Sequence, residues 1–290
     1  MGHPVRFVLS GVVFAVLWSS ASVAGKFGLM SSEPLTLFTI RFLLAGVLLL
    51  TIALLFTNDR KLPAGKEWWQ LTLFGALNTA LYLGIFIIAL EEVAAGITAL
   101  AIALNPLMIS FFSAMWLKRP VKLREWLSIV AGMAGVALAT FPLLQNGYAT
   151  PWGAFLLVLS MVMYSLGAVY YSSVKWQLSR TVINGWQVFI AGLLLLPFTL
   201  FFEGGGTTYD ARFWLSLLWL VIPVSLAAVQ LWLYLLREDA VRASLWLFLC
   251  PIFGLIFATL LLDEPFTWHT LVGTLIVMGS LYEGQRRNLK

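Results

Sequence analysis

"LFTIRFLLAGVLLL" (residues 37–50) and "WQVFIAGLLLL" (residues 186–196) decide the fold. Each is a leucine-rich run with a single strongly polar side chain. The second repeats the first, with Gln187 where Arg41 stood. Working outward from them, 61% of the 290 residues are hydrophobic and only 11% are charged, with mean hydropathy +0.92. A soluble domain carries about 25% charged residues, because a hydrated surface must cover its core. This chain lacks that coating, so lipid is its expected solvent.

A helix needs about 20 mostly apolar residues to cross ~30 Å of hydrocarbon. The runs that qualify are 6–25, 34–57, 68–90, 94–117, 122–142, 152–174, 182–202, 213–236, 241–262 and 267–284. The expected class is therefore an all-α polytopic membrane protein with ten transmembrane helices and no room for a soluble domain. The alternation of a β-barrel strand is absent. The first run is long, lacks a clear small-residue cleavage site and is followed by further spans, so it reads as a retained helix rather than a signal peptide. The single Cys250 excludes an internal disulfide, and His3 and His269 do not form a metal site. No cofactor motif is present.

The charges orient the chain. All Lys and Arg other than Lys26, Arg212 and Arg41 fall in the two tails and in alternate loops, from Arg6 through Arg60, Lys61 and Lys66 to Arg286, Arg287 and Lys290. Positively charged loops stay cytoplasmic during insertion, which predicts both termini inside a cytoplasmic (inner) membrane.

The repeat extends along the chain. Offsets of 145 to 146 residues align Trp18 with Tyr164, "AGVLLL" (45–50) with "AGLLLL" (191–196), and "NPLMISFFSAMWLKRP" (105–120) with "CPIFGLIFATLLLDEP" (250–265). Five helices per half is an odd number, so residues 1–146 and 147–290 are expected as two inverted five-helix repeats around a central cavity. Inverted repeats typify secondary transporters, whose substrate site lies near the midplane at the repeat interface.

The stretch "LWSSASVAGKFGLMSSEPLTLFTIRFLLAGVLLL", the prolines Pro106 and Pro251, and the ending "LLDEP" (261–265) resemble the drug/metabolite transporter superfamily, and within it the ten-helix EamA-type exporters, over essentially the whole chain. "VLWSS", Tyr82 and Tyr164 are most similar to its amino-acid-exporting members. That resemblance implies export, and a cavity bounded mainly by helices 1, 3, 4, 6, 8 and 9.

Candidate substrate-binding residues lie toward span centres. Asn78, Tyr82 and Phe86 are spaced by four and share one helical face. Asn105 precedes Pro106, and Cys250 precedes Pro251 one turn after Trp246. A proline in a helix removes a backbone bond, bends the rod and can free a carbonyl to a cavity, so Pro106 and Pro251 are gating candidates. Trp18 and Tyr164 are repeat mates, and span eight presents Pro223, Ala227, Gln230 and Tyr234 on one stripe. Each has an alternative reading: membrane Asn and Gln often make helix–helix hydrogen bonds, and aromatic residues often only pack. Trp68, Trp69 and Trp214 read as interfacial anchors. Arg41, about 10 Å below the external face, is expected to snorkel toward headgroups or to meet Glu33, in a structural or gating role shared with Gln187. Attraction of substrate carboxylates is the other reading of Arg41.

No Asp or Glu sits at a span centre, and Glu264 is expected to close the external mouth. Proton-coupled drug pumps of the small four-helix type need a membrane carboxylate, and phosphate exchangers need deep cations. Aromatic faces with amides and hydroxyls suit small neutral or zwitterionic amphipathic metabolites, amino acids including aromatic ones among them. A membrane-embedded solute-binding or sensory protein, or an exporter of other solutes such as nucleobases, is the alternative. No enzyme is expected: "SSVK" (172–175) has none of its companion motifs. The small residues of "AGMAGVALA" (131–139) favour internal packing over dimerisation. The partners are thus a small-molecule substrate and the lipid bilayer, with no nucleic acid, in a monomer or homodimer.

Overall fold

The computed structural model describes residues 3–56, 61–93, 95–144, 149–262 and 267–285. Asp263, Glu264 and Pro265 of "LLDEP", together with Arg60, Arg286, Arg287 and Lys290, lie outside them. The described residues form α1 (Val5–Leu29), α2 (Pro34–Phe56), α3 (Lys66–Glu92), α4 (Ile97–Trp116), α5 (Leu123–Ala139), α6 (Pro151–Ser173), α7 (Arg180–Phe202), α8 (Ala211–Glu238), α9 (Ala240–Phe257, helical on to Leu262) and α10 (Trp268–Gln285). All but α5 and α10 are long and apolar enough to cross a membrane; those two have 17 and 18 residues. The chain is a multi-pass membrane protein. In hydrocarbon every backbone polar group must be satisfied within the segment, which leaves helix as the available structure. Side chains supply the caps that water cannot: Thr150, Ser179 and Asp210 accept the first free N–H groups of α6, α7 and α8.

The two opening stretches pack on each other. α2 and α7 run antiparallel in close contact, and the glycines of the repeated "AG" pair permit it. A Cβ on Gly46 would fall 2.5 Å from Phe189 Cβ, and one on Gly192 would fall 2.9 Å from Leu43. α5 and α10 form a second tight pair, with Gly135 against the Gly273 carbonyl, and Gly132 meets the Phe248 ring of α9. Gly132, Gly135 and Ala139 of the 131–139 stretch are buried within the molecule, while Ala134 is exposed.

Four helices are irregular. α3 widens to a π-helix over Ala76–Leu81, and α8 does so over Leu220–Ala228, around Pro223. α4 breaks at residues 103–104, and its second segment begins at Asn105–Pro106. α9 tightens to a 3₁₀ turn at Leu245–Phe248, just before Cys250–Pro251. On α8 the buried positions include Val224, Ser225, Ala228 and Trp232, while Pro223, Gln230 and Tyr234 are half-buried and Ala227 is exposed. The stripe at 223, 227, 230 and 234 therefore lies beside the buried face rather than on it.

The basic chain ends gather at one face. Arg6 and Arg180 lie over the Tyr234 ring at 5.3 and 5.2 Å, Arg242 donates to the Gln285 carbonyl, and Arg124 pairs with Glu283. At the opposite face the α1–α2 and α7–α8 loops are tied together. Glu33 accepts backbone N–H groups from Gly204, Gly205 and Gly206, Glu203 caps the start of α2 through Leu35 and Thr36, and Ser31 donates to Asp210. Trp68, Trp69 and Trp214 are exposed, as interfacial anchors require.

Candidate functional site

An aromatic wall is built where α1, α3, α6 and α8 converge. Phe14 and Trp18 are four apart and share one face of α1. Phe14 stacks on Trp232 at 5.0 Å between ring centres, and Trp18 leans toward Tyr164 at 6.4 Å. Tyr164 stacks on Trp232 at 5.9 Å and meets Tyr82 at 4.8 Å, with Phe86 a further 5.8 Å along α3. The structure therefore brings Trp18, Tyr82 and Tyr164 together. Asn78 lies one turn before Tyr82, its backbone within 3.0 Å of where a Cβ on Gly167 would be.

Polar atoms in this neighbourhood are buried and unspent. Tyr164 Oη, Trp232 Nε1 and Asn78 Oδ1 have no hydrogen-bond partner among the described residues. Leaving such groups unpaired away from water is costly, and native structures rarely tolerate it without a use. Together they offer an O–H, an N–H and an amide oxygen beside π faces, a set that can hold a small molecule with both polar and aromatic parts.

A buried hydrogen-bond chain runs beside the wall and links both π-helical segments. Asn78 donates to Thr79 Oγ1 at 3.4 Å, Thr79 donates to Gln187 Oε1 at 2.8 Å, and Gln187 Nε2 donates to Asn184 Oδ1 at 3.1 Å. Asn184 Nδ2 donates to the Ser225 carbonyl at 3.0 Å, and Arg41 Nε donates to Ser225 Oγ at 2.9 Å. Arg41 and Gln187, matched positions in the sequence, thus belong to one network through α2, α8, α7 and α3. Arg41 neither runs back to the headgroups nor meets Glu33. It is 4% exposed, held by Ser225 beside the rings of Phe38 and Phe42, and Glu33 is committed to the 204–206 turn.

The other candidates are placed elsewhere or already engaged. Asn105 accepts from Ser165 at 3.0 Å and donates to Met161 Sδ at 3.2 Å, a helix–helix link between α4 and α6. Gln230 donates to the Arg180 carbonyl. Trp246 packs on Phe7 and on Gly11, whose missing side chain makes room for the indole. Pro106 and Pro251 mark the breaks in α4 and α9, and Ser19 bonds the Cys250 carbonyl at 3.0 Å. Four participants escape a reading of the sequence. Phe14 carried a signal in its spacing from Trp18. Trp232 lay off the stripe read on α8, while Asn184 and Ser225 looked like ordinary small polar residues of a span.

At the basic face the end of α4 is clasped to the start of α9. Ala240–Ser244 packs on Asn105–Trp116. Lys118 takes a left-handed turn (φ 51°) that ends α4, and Arg119 then bridges Glu125 at 2.6 Å and Asp239 at 2.7 Å. Partial burial disfavours the guanidinium charge, but hydrogen bonds to Glu125 and Asp239 outweigh it and raise the Arg119 pKa above its ordinary value. Among the described residues no comparable packing joins Ala95–Ile102 to Leu249–Leu262 at the other face.

Comparison with known proteins places this architecture. The chain is 27% identical to Protein PecM of Dickeya dadantii, over 91% of this chain and 87% of that protein. It is 26% identical to the uncharacterized transporter YvbV of Bacillus subtilis, covering 95% and 90%, and 27% identical to the uncharacterized inner membrane transporter YedA of Escherichia coli K12, covering 87% and 82%. One solved protein crystal structure shares the fold, with a TM-score of 0.82 at 17% identity over 96% of this chain and 95% of that one. The model of the EamA-like transporter family matches twice, at residues 6–141 and 151–282. Matched over nearly its whole length, the chain belongs to the EamA-like transporter family.

Proposed function

We propose that this transporter is a secondary exporter of small neutral or zwitterionic amphipathic metabolites, aromatic amino acids foremost, working by alternating access of two inverted five-helix halves, 1–146 and 147–290, in an inner membrane with both termini cytoplasmic. The observation that carries the substrate class is the wall of Trp18, Tyr82, Tyr164 and Trp232 with its unspent Tyr164, Trp232 and Asn78 atoms. Stacking accepts an aromatic or apolar side chain, and the free donors and acceptor take its polar end.

Several features support the two halves. The family model fits each separately. α1 packs on α8 and α9, and α6 packs reciprocally on α3 and α4, the exchange expected of an upended copy. The π-helices in α3 and α8, and the proline breaks in α4 and α9, recur at the offset of the repeat. Such irregular turns are where a helix bends at least cost. The packing of α4 on α9 at the basic face supports reading this as a state closed to the cytoplasm. Export direction and the narrower kinship with amino-acid exporters rest on the sequence resemblance.

Counterflow in proteoliposomes tests the reading, using phenylalanine, an uncharged nucleobase and a cationic dye as alternatives. Time-dependent accumulation of phenylalanine that is lost in Tyr164→Ala and Trp232→Ala supports it. Binding without accumulation makes the chain a solute-binding protein, and flux unchanged in both variants rejects the assigned wall.

A further inference from the structure

We infer that Arg41 receives the carboxylate of the transported molecule, a deepening that rests on the transport reading for the ligand's identity. The guanidinium is sunk within α2, where an uncompensated charge is expensive and marks function. Phe38 and Phe42 flank it at 5.5 and 5.2 Å, and Nε is committed to Ser225. Its two terminal nitrogens take no partner among the described residues and are not sealed from the space beside them. No carboxylate among the described residues pairs with it: Glu33 is spent on Gly204–Gly206, and Glu203 on Leu35 and Thr36. A planar fork with both outer N–H₂ groups free matches the two oxygens of a carboxylate.

Its position fits that role. Ser225, which holds Arg41, precedes Trp232 of the wall by seven residues on α8, about two helical turns, and Tyr82 is in ring contact with Tyr164. A carboxylate on Arg41 therefore sets an aromatic side chain against the wall already described. The unpartnered Asn78 Oδ1, one turn from Tyr82, is the acceptor on offer to an ammonium group. Arg41 also holds Ser225 inside the α8 π-helix, and the Ser225 carbonyl holds Asn184. Loading an anion on Arg41 thereby acts directly on a segment able to bend. A bound inorganic anion shares this chemistry, so the test separates the two sources.

Equilibrium binding to the purified full chain in detergent decides it, with phenylacetate, phenethylamine and phenylalanine as ligands and chloride as competitor. The wild type is expected to bind phenylacetate and phenylalanine about tenfold or more tighter than phenethylamine. Arg41→Gln is expected to erase that preference, and Arg41→Lys to retain part of it. Equal binding of phenethylamine and phenylacetate by the wild type overturns the inference, even if Arg41→Gln fails to fold. So does a uniform loss for all three ligands in Arg41→Gln, or chloride displacing phenylacetate at equal concentration. Phenylacetate bound through Arg41 without accumulation of phenylalanine in proteoliposomes leaves the site standing and removes the transport reading. Accumulation with the carboxylate preference intact in Arg41→Gln does the reverse.

Discussion

Asp239→Asn should open the basic face. Arg119 holds two carboxylates of different origin: Glu125 belongs to its own half, at the start of α5, whereas Asp239 precedes α9 in the other half. Only the Asp239 link crosses between the halves. Asparagine keeps the cap that Asp239 provides to the Arg242 N–H but loses the charge facing Arg119. The pair is short, at 2.7 and 3.1 Å, yet about a quarter of each side chain is exposed, which places its worth near 1 kcal/mol. Losing that from the closed state alone shifts the closed–open ratio about fivefold. A reporter cysteine at Ala243, fully buried where α9 meets α4, reads this ratio in a Cys250→Ala background. Its modification by a membrane-impermeant maleimide should speed up about fivefold in Asp239→Asn. Glu125→Gln should lower thermal stability without changing that rate, because it cuts a bond within one half. An unchanged rate in Asp239→Asn, or an equal rise in Glu125→Gln, refutes the clasp.

Three further outcomes follow from the packing. Gly46→Ala inserts a Cβ 2.5 Å from Phe189 Cβ and 2.8 Å from its Cα, so it should destabilise by about 1–3 kcal/mol in detergent unfolding, against a near-neutral Gly254→Ala, where nothing lies within 4 Å. A double-mutant cycle of Thr79→Val with Gln187→Leu should return a coupling of about 0.6–1.7 kcal/mol, and strict additivity would remove the hydrogen bond from the network. Asp210, whose carboxylate accepts the Phe213 N–H and the Ser31 hydroxyl, has a pKa lowered from 3.8. The stability it adds is full above its unfolded value and lost as pH falls through the lowered one. Thermal melts should therefore show a smaller acid-side loss below about pH 4 in Asp210→Asn than in the wild type.

The residues that fixed the architecture were those whose effect is local. Helix positions followed from apolar length and the breaks from Pro106 and Pro251, whereas the recurring Ala45–Gly46 and Ala191–Gly192 motif marked the repeat but not the α2–α7 pairing that it permits. The aromatic candidates Trp18, Tyr82 and Tyr164 were legible because spacing by four and repeat position mark them. What stayed hidden depends on how each helix is rotated. The α8 stripe was drawn through Pro223 and Gln230, whereas packing turns the face with Ser225 and Trp232 inward, and no residue type on an apolar helix announces that rotation. The partners of Arg41 were hidden likewise, since a sequence does not say which serine 184 residues away will meet a guanidinium. Proximity to Glu33 in the chain pointed the wrong way, because three glycine N–H groups compete for that carboxylate.

Paired spin-label distances at both ends of the bundle test the two-half exchange most directly. One pair joins the end of α4 to the start of α9 at the basic face, and a second joins α4 near Ile97 to α9 near Phe257 at the opposite face. With saturating phenylalanine in lipid, one face should widen as the other narrows, and the two changes should be of opposite sign in the same preparation. Both faces moving together, or neither moving while counterflow proceeds, would contradict exchange between inverted halves.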